Sequence, residues 1–231
     1  MNWFWLPDFG VQLLQGLGIT LFVFVVSVVA GFALAIPLAV AQIKGGWIAK
    51  NCAKSFCVGF RGTPLLLQLF LIYYGVGSIF ASHPWLGATA PWLIRLDAIW
   101  YVLLAFTLNF AAHEAETLRG GLLTVPHGEL EAAGSFGFSS FQILFRLWLP
   151  SAVLRITPVL ANDVIAQLKS TPIAFTVPVV DLMAVAHKVM QDRLLIYEPL
   201  LLVGVAYLVM SFIVLRLFSF LERLKPQIWQ A

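Results

Sequence analysis

The stretch LLQGLGITLFVFVVSVVAGFALAIPLAVA, Leu13 to Ala41, carries no formal charge. It is the apolar part of a charge-free window of 35 residues between Asp8 and Lys44. A helix needs about 20 predominantly apolar residues to cross the hydrocarbon of a bilayer, so this stretch reads as a membrane span. The whole chain agrees with it. Of its 231 residues 61% are hydrophobic and 11% charged, against about 45–50% and about 25% in a soluble domain, and mean hydropathy is +0.92. So much apolar surface does not fit inside one water-soluble core. The length allows one or two domains, and the even composition favours a single transmembrane domain over residues 1–231.

Four further spans follow from the same criterion. A second uncharged window, Gly62 to Ile94, is helical over about Thr63 to Phe80 and is broken beyond by Ser82, Pro84, Gly87 and Pro91. A third span covers about Ala98 to His113 and could run on to Leu122 despite Glu114, Glu116 and Arg119. The fourth covers about Ser151 to Ser170, closed by Thr171-Pro172, and the fifth about Pro199 to Leu217. Residues Ile173 to Val189 are also apolar, but Pro172, Pro178, Asp181 and Lys188 make them a broken or surface-lying helix on the outer side. The expected fold is therefore an all-α, polytopic membrane protein with five transmembrane helices.

Five spans put the termini on opposite sides, and Lys and Arg decide which side is which. Lys44, Lys50, Lys54, Arg61, Arg119, Arg146, Arg155, Arg216, Arg223 and Lys225 fall on one side, and Arg95, Lys188 and Arg193 on the other. This bias places the N-terminus outside and the C-terminus in the cytoplasm. The net charge of +3 is too small, and no basic tract is long enough, for nucleic acid to be a partner. Cys52 and Cys57 lie in one short connection, which implies no disulfide framework. The N-terminal region lacks the basic start of a cleavable signal peptide, and its aromatics, Asn2 to Leu6, read as an interfacial anchor or an ordinary flank of the first span.

The connection between spans three and four, about residues 122–149, is the most informative. It reads as two short helices joined at a glycine. Pro126 suits a first helical position, Glu129 and Glu131 sit where the helix dipole favours negative charge, and Gly137 can take the left-handed conformation that ends a helix. Ser139 and Gln142 then form an S-x-x-Q capping box, and Pro150 marks the entry to span four. Ala132, Ala133, Gly134 and Ser135 would let a partner's backbone approach closely. On physical grounds alone, a docking knob and a structured loop without a partner are equally good readings.

Glu131-Ala132-Ala133, three residues, Gly137, nine residues and Leu147-Trp148-Leu149-Pro150 resemble the E-A-A-x3-G-x9-I-x-L-P signature of permease subunits of binding-protein-dependent ABC importers, with Leu147 in place of Ile. The resemblance implies that this segment is a coupling helix seated in a cleft of a cytoplasmic ATPase, with Glu131, Ala132, Ala133, Gly137, Leu149 and Pro150 making or shaping the contact. Phe60-Arg61-Gly62-Thr63-Pro64 with Gln68 is similar to the F-R-G-T-P-x-x-x-Q segment of polar amino-acid permeases. Ala115-Glu116 and Arg119-Gly120-Gly121 are similar to their A-E-x-x-R-G-G run, and Pro158, Asn162-Asp163 and Lys169-Ser170-Thr171 to their fourth span. The likeness covers nearly the whole chain. Val125 to Glu129, Gly137 to Phe141 and Ala174-Phe175-Thr176 look most like the M-type subunit of histidine/lysine-arginine-ornithine permeases, with opine permeases close by. His113 stands where that subfamily usually has Tyr.

An ionisable group inside a span is costly and is a functional candidate by default. Asp163 lies eight residues past Arg155, roughly 12 Å along a helix, near the bilayer midplane. A carboxylate there suits a cationic side chain or an α-ammonium group; the alternative is a structural pair with, or a hydrogen bond to, a neighbouring helix. Asn162 reads rather as interhelical glue, and Gln68, Tyr73, Tyr74 and Asn109 are candidates for the same path. Glu116 and Arg119, three apart, can meet on one helix face and read with Arg61 as a structural clamp. Lys169 reads as a cap for the carbonyls ending span four, with neutralising a substrate carboxylate as the alternative.

His113-Glu114-Ala115-Glu116-Thr117 is a near miss to the zinc-protease pattern H-E-x-x-H, but Thr117 replaces the second ligand; neither a metal site nor enzyme activity is expected. No G-x-x-x-x-G-K-[ST] occurs, so no cofactor is expected in this chain. The resemblance places ATP and Mg in a partner ATPase dimer, and adds a second, paralogous permease subunit and a periplasmic amino-acid-binding protein, in a bacterial inner membrane. An ion-coupled secondary transporter would not need the docking segment, and a non-transporting scaffold leaves Asp163 unexplained.

Overall fold

The computed structural model describes residues 4–82 and 96–223. Asn2 and Trp3, Pro84, Gly87 and Pro91 of the broken second window, and the cations Arg95 and Lys225 lie outside the described residues. Every regular element among those described is helical: α1 (Leu6–Lys44), α2 (Trp47–Arg61), α3 (Leu65–Ser82), α4 (Ala98–Leu123), α5 (His127–Ser135), α6 (Ser140–Ile143), α7 (Leu149–Ser170), α8 (Leu182–Arg193) and α9 (Tyr197–Arg223). A π turn (Leu144–Trp148) joins α6 to α7, and a 3-10 turn (Thr171–Thr176) ends α7. Helices are what hydrocarbon demands of an isolated segment, because each satisfies its own backbone hydrogen bonds.

Four helical segments are long and apolar enough to cross a membrane: α1, α4, α9 and the continuous run Ser140–Thr176. The pair α2–α3, bent by 103°, is a fifth candidate. The third span does continue past His113, to Leu123, because Glu114 is packed inside the protein and meets no lipid. The helix of the second span, α3, begins at Leu65 and ends at Ser82, close to the expected Thr63 to Phe80. The connection before it is itself the 15-residue helix α2, amphipathic, with Trp47 and Ile48 exposed and Ala53 and Cys57 buried. The second helix after Gly137 is not separate either. Only α6 is α-helical before the π turn, and the chain then runs straight into α7. In the π turn Leu149 N–H donates to Leu144 O, a register that absorbs the donor Pro150 lacks.

Residues Ile173 to Val189 form a broken segment, as their prolines require. The 12 residues of α8 span roughly 18 Å, short of the ~30 Å of hydrocarbon. It is no loosely attached surface helix, however: Leu182, Val185, Ala186 and Val189 are buried in one cluster with Trp5, Phe9 and Leu13 of the N-terminal region and Val203 of α9. Trp5 is 3% exposed, so it is a core residue rather than an interfacial anchor, while Phe4 beside it is exposed.

Helix α1 packs along α4, and small residues set the approach. A Cβ on Gly31 would stand 2.8 Å from the Phe110 ring and 3.1 Å from Thr107 O. Nearby, Phe24, Phe110, Val164, Leu168 and Met210 join α1, α4, α7 and α9 in one cluster. At the end bearing Lys44, Ala35, Ala39, Cys57, Leu118, Leu122, Trp148 and Ala152 form another. Gly31→Val should therefore force α1 from α4 and cost about 1–3 kcal/mol, as overpacking does. Gly18→Val, where an added Cβ meets nothing within 4 Å, should cost far less. Melting midpoints of the two variants in one detergent check this.

Candidate functional site

Three groups of polar residues stand out in the bundle. The first is the elbow between α2 and α3, built by Thr63, Gln68 and Asn109. Gln68 Nε2 donates to Phe60 O at 2.7 Å, to Thr63 O at 2.9 Å and to Thr63 Oγ1 at 2.9 Å. Asn109 Nδ2 of α4 donates to Gln68 Oε1 at 3.0 Å. A helix end leaves carbonyls without partners, and this side chain takes one of them, Phe60 O, through the sharp bend. Gln68 and Asn109 are thus brought together and buried. Further along α3, Tyr73 stacks edge-on against Tyr74 and Tyr101, with centroids 4.8 Å and 5.6 Å away, and Tyr74 stays exposed.

The second group lies where α1, α2 and α4 meet at the basic end. Arg119 Nε and Nη2 both donate to Glu116 Oε2, at 3.0 and 2.9 Å, and Arg61 Nη1 stands 4.0 Å from the same oxygen. The three residues expected as a clamp are therefore in mutual contact. At the same end Lys44 lies over the Trp148 ring at 4.4 Å, and Trp148 Nε1 donates to Leu122 O at 2.8 Å.

Beyond them projects the segment 127–142. None of the residues of α5 is buried. Glu131 and Ala132 are exposed and Ala133 half-buried. Gly137 has φ +84°, a conformation that favours glycine, and Ser139 and Gln142 close a reciprocal capping box. Around this turn Phe136 (84% exposed), Phe138 and Phe141 (70%) point outward. Arg155 of α7 reaches Glu129 at 3.8 Å, which ties α5 to the bundle. Leu149 and Pro150 lie at the start of α7, with Leu149 packed against the Trp148 cluster.

The third group is on α7. Thr117 Oγ1 of α4 donates to Asp163 Oδ2 at 2.9 Å. Asp163 is half-buried and Asn162 exposed. Pro158, Val159 and Ala166 are exposed on the same side of α7, so this face has no cover among the described residues. Asp163 lies eight residues from Arg155 and six from Lys169, well inside the membrane-crossing run. Tyr73 and Tyr74 are not brought to it by any hydrogen bond among the described residues.

This geometry has clear counterparts. Residues 27–225 match the model of the family described as "binding-protein-dependent transport system inner membrane component". The chain belongs to that family. It is 36% identical over 212 residues to an octopine transport system permease protein of Rhizobium radiobacter, covering 92% of this chain and 85% of that one. It is 36% identical over 211 residues to the histidine/lysine/arginine/ornithine transport system permease protein of Salmonella typhimurium, covering 90% and 87%. A solved amino acid ABC transporter superposes with a TM-score of 0.80 at 26% identity, over 96% of this chain and 98% of that one. The MetNI methionine transporter shares the fold, with a TM-score of 0.73 at 17% identity over 94% and 97%. The chain is thus a multi-pass permease subunit of an ABC importer. Such subunits work with an ATPase, in which ATP is hydrolysed, and with a substrate-binding protein.

Some polar residues of this permease escaped the sequence reading. Gln167 Nε2 of α7 donates to Ser27 Oγ of α1 at 3.1 Å and to Phe106 O of α4 at 3.3 Å, joining three helices. Glu114 is wholly buried and neither oxygen has a hydrogen-bond partner among the described residues. Asp181 caps α8 by accepting from Ala184 N at 2.8 Å, and its other oxygen is buried without a hydrogen-bond partner among the described residues. A residue's number does not reveal which helix lies across from it.

Burial pushes the Asp181 carboxyl up to about 6, while backbone donors to it pull the other way. The unfolded chain holds its proton only to about 3.8. Between these values the native state binds more protons than the unfolded one, so stability falls as the pH rises and is lost through about pH 6. The melting midpoint in detergent should therefore drop between about pH 4 and about pH 7. Asp181→Asn keeps a good capping side chain and should flatten that part of the decline.

Proposed function

We propose that this permease is one of two non-identical subunits enclosing the translocation path of an importer for polar, basic amino acids in a bacterial inner membrane. Its N-terminus faces outward and its C-terminus the cytoplasm, as the lysine and arginine bias favours. A periplasmic binding protein delivers the substrate to the outer face, and ATP with Mg binds only in the partner ATPase dimer. Relatives named for octopine and for histidine, lysine, arginine and ornithine support the substrate class.

The observation that carries this reading is Asp163 on the uncovered face of α7. A carboxylate at that depth does not face lipid, so a second subunit and a wet path must cover it. The carboxylate that Thr117 orients then meets a cationic side chain or α-ammonium group. Asn162 borders the same face. Gln68 and Asn109 contribute by holding the elbow of α3, and Tyr73 and Tyr74 line the path from that helix.

At the basic end, Glu131, Ala132, Ala133 and Gly137 present α5 to the ATPase, and the exposed Phe136, Phe138 and Phe141 supply the apolar area that such docking buries. Leu149 and Pro150 root the segment in α7, so a push on α5 moves that helix and Asp163 with it. ATP binding in the partner draws the two coupling segments together and switches the path from inward- to outward-open.

Two variants separate the roles. Glu131→Lys should reduce co-purifying ATPase at least about tenfold, the effect of about 1.4 kcal/mol, while the melting midpoint of the permease holds. Unchanged co-purification and uptake would remove α5 from coupling. Asp163→Asn should keep the assembly but weaken transport-site affinity for arginine or lysine by about tenfold or more, the range of a charged hydrogen bond. Equal kinetics for basic and neutral amino acids in both forms would take Asp163 out of the path.

A further inference from the structure

A cavity of about 470 Å³ opens between α1, α2 and α4 at the basic end, and its charge is unbalanced. Lys50, Lys54 and Arg61 enter it from α2, Arg119 and Glu116 from α4, and Gln42 from α1. The α2 cations are spaced four and seven residues apart, which puts them on one helix face. Four cations thus meet one carboxylate. Glu116 is already occupied by two donors from Arg119, with Arg61 at 4.0 Å. Lys50 and Lys54 are exposed and form no ion pair among the described residues. The volume is that of a small-molecule site, and the excess positive charge selects an anion.

The surroundings say which anion. Helix α2 bends away from α3 by 103°, so it cannot run along the membrane normal if α3 does. Trp47, 80% exposed, and Ile48 project from its N-terminal turn, and Trp favours the interface between headgroups and hydrocarbon. An amphipathic helix with this pattern lies in the interfacial plane. Its cationic face then stands at headgroup level, and the cavity walls also include the apolar Val58 and Leu123, which suit a glycerol backbone and the start of an acyl chain. Basic pockets between spans bind anionic headgroups for this reason.

We propose that this cavity holds the phosphate-bearing headgroup of an anionic phospholipid, with Lys50 and Lys54 as its cationic contacts and the Arg61–Glu116–Arg119 group as its floor. The lipid would pin α2 to the membrane surface beside the elbow that sets α3. The inference needs only that the chain spans a bilayer, so it stands or falls apart from the substrate reading.

The complete transporter, with its ATPase and second permease, should be placed in nanodiscs of phosphatidylcholine doped with phosphatidylglycerol, and the lipids it retains counted by native mass spectrometry. The wild type should retain one more phosphatidylglycerol per copy of this chain than the variant K50Q/K54Q, whose affinity should fall roughly thirtyfold, about five- to sixfold per lysine. K50R/K54R should restore retention, and all three forms should assemble and melt alike. Equal retention by K50Q/K54Q would overturn the proposal. So would equal retention of phosphatidylethanolamine, or displacement of the lipid by an equal concentration of inorganic phosphate, which would make the site one for a free anion. Carbodiimide crosslinking of Lys50 or Lys54 to a carboxylate of a partner chain would also overturn it, by filling the cavity with protein.

Discussion

A polar group carried into hydrocarbon must find its partner inside the protein, and the arrangement of this permease follows from how each one does so. An unsatisfied amide or hydroxyl away from water costs several kcal/mol. Gln167 meets that demand by bonding to Ser27 and to Phe106 O, which holds α1, α4 and α7 in one register. Gln68 meets it by serving the broken backbone between α2 and α3 and by accepting from Asn109. Asp163 meets part of it through one bond from Thr117, on a face of α7 that stays exposed among the described residues. The first two pairings join helices across the bundle, and the third joins α4 to α7 at an exposed face.

Small residues and prolines then decide how closely the helices lie and where they turn. Gly31 allows α4 to approach α1 to a distance that any side chain would prevent. Gly137 lets the chain reverse after α5 without strain, and Pro150 is carried by a π turn instead of a break. Mechanically this last detail matters most. The run from Ser140 to Thr176 is continuous, so the exposed segment joins the membrane-crossing helix without a break at Pro150. The exposed phenylalanines around Gly137 stand at the outer end of that run.

The two ends of the molecule are built on different terms. Away from the basic end, α8 is fastened by apolar packing to α1 and α9, by the cap of Asp181 and by the Arg193–Asp8 pair. At the basic end, in the cavity between α1, α2 and α4, cations outnumber carboxylates, and there Lys50 and Lys54 form no ion pair among the described residues. The basic end thus exposes two chemistries: α2 presents lysines, and the turn at Gly137 presents phenylalanines.

The amino-acid sequence by itself determined that the chain crosses a bilayer, where the main spans lie and that residues 173–189 break, because charge-free length and proline act locally. It also determined the capping box at Ser139 and Gln142 and the left-handed turn at Gly137, since both are decided within a few residues. The Glu116–Arg119 pair was legible for the same reason, being one helical turn apart. The tertiary structure alone decided that α2 is a helix bent against α3, that Gln68 bonds with Asn109 and Gln167 with Ser27, and that Glu114 and Asp181 are buried. It alone brought Thr117 to Asp163 and four cations around one cavity. These contacts join residues tens of positions apart, and hydrophobic periodicity names the buried face of a helix without naming the helix that covers it.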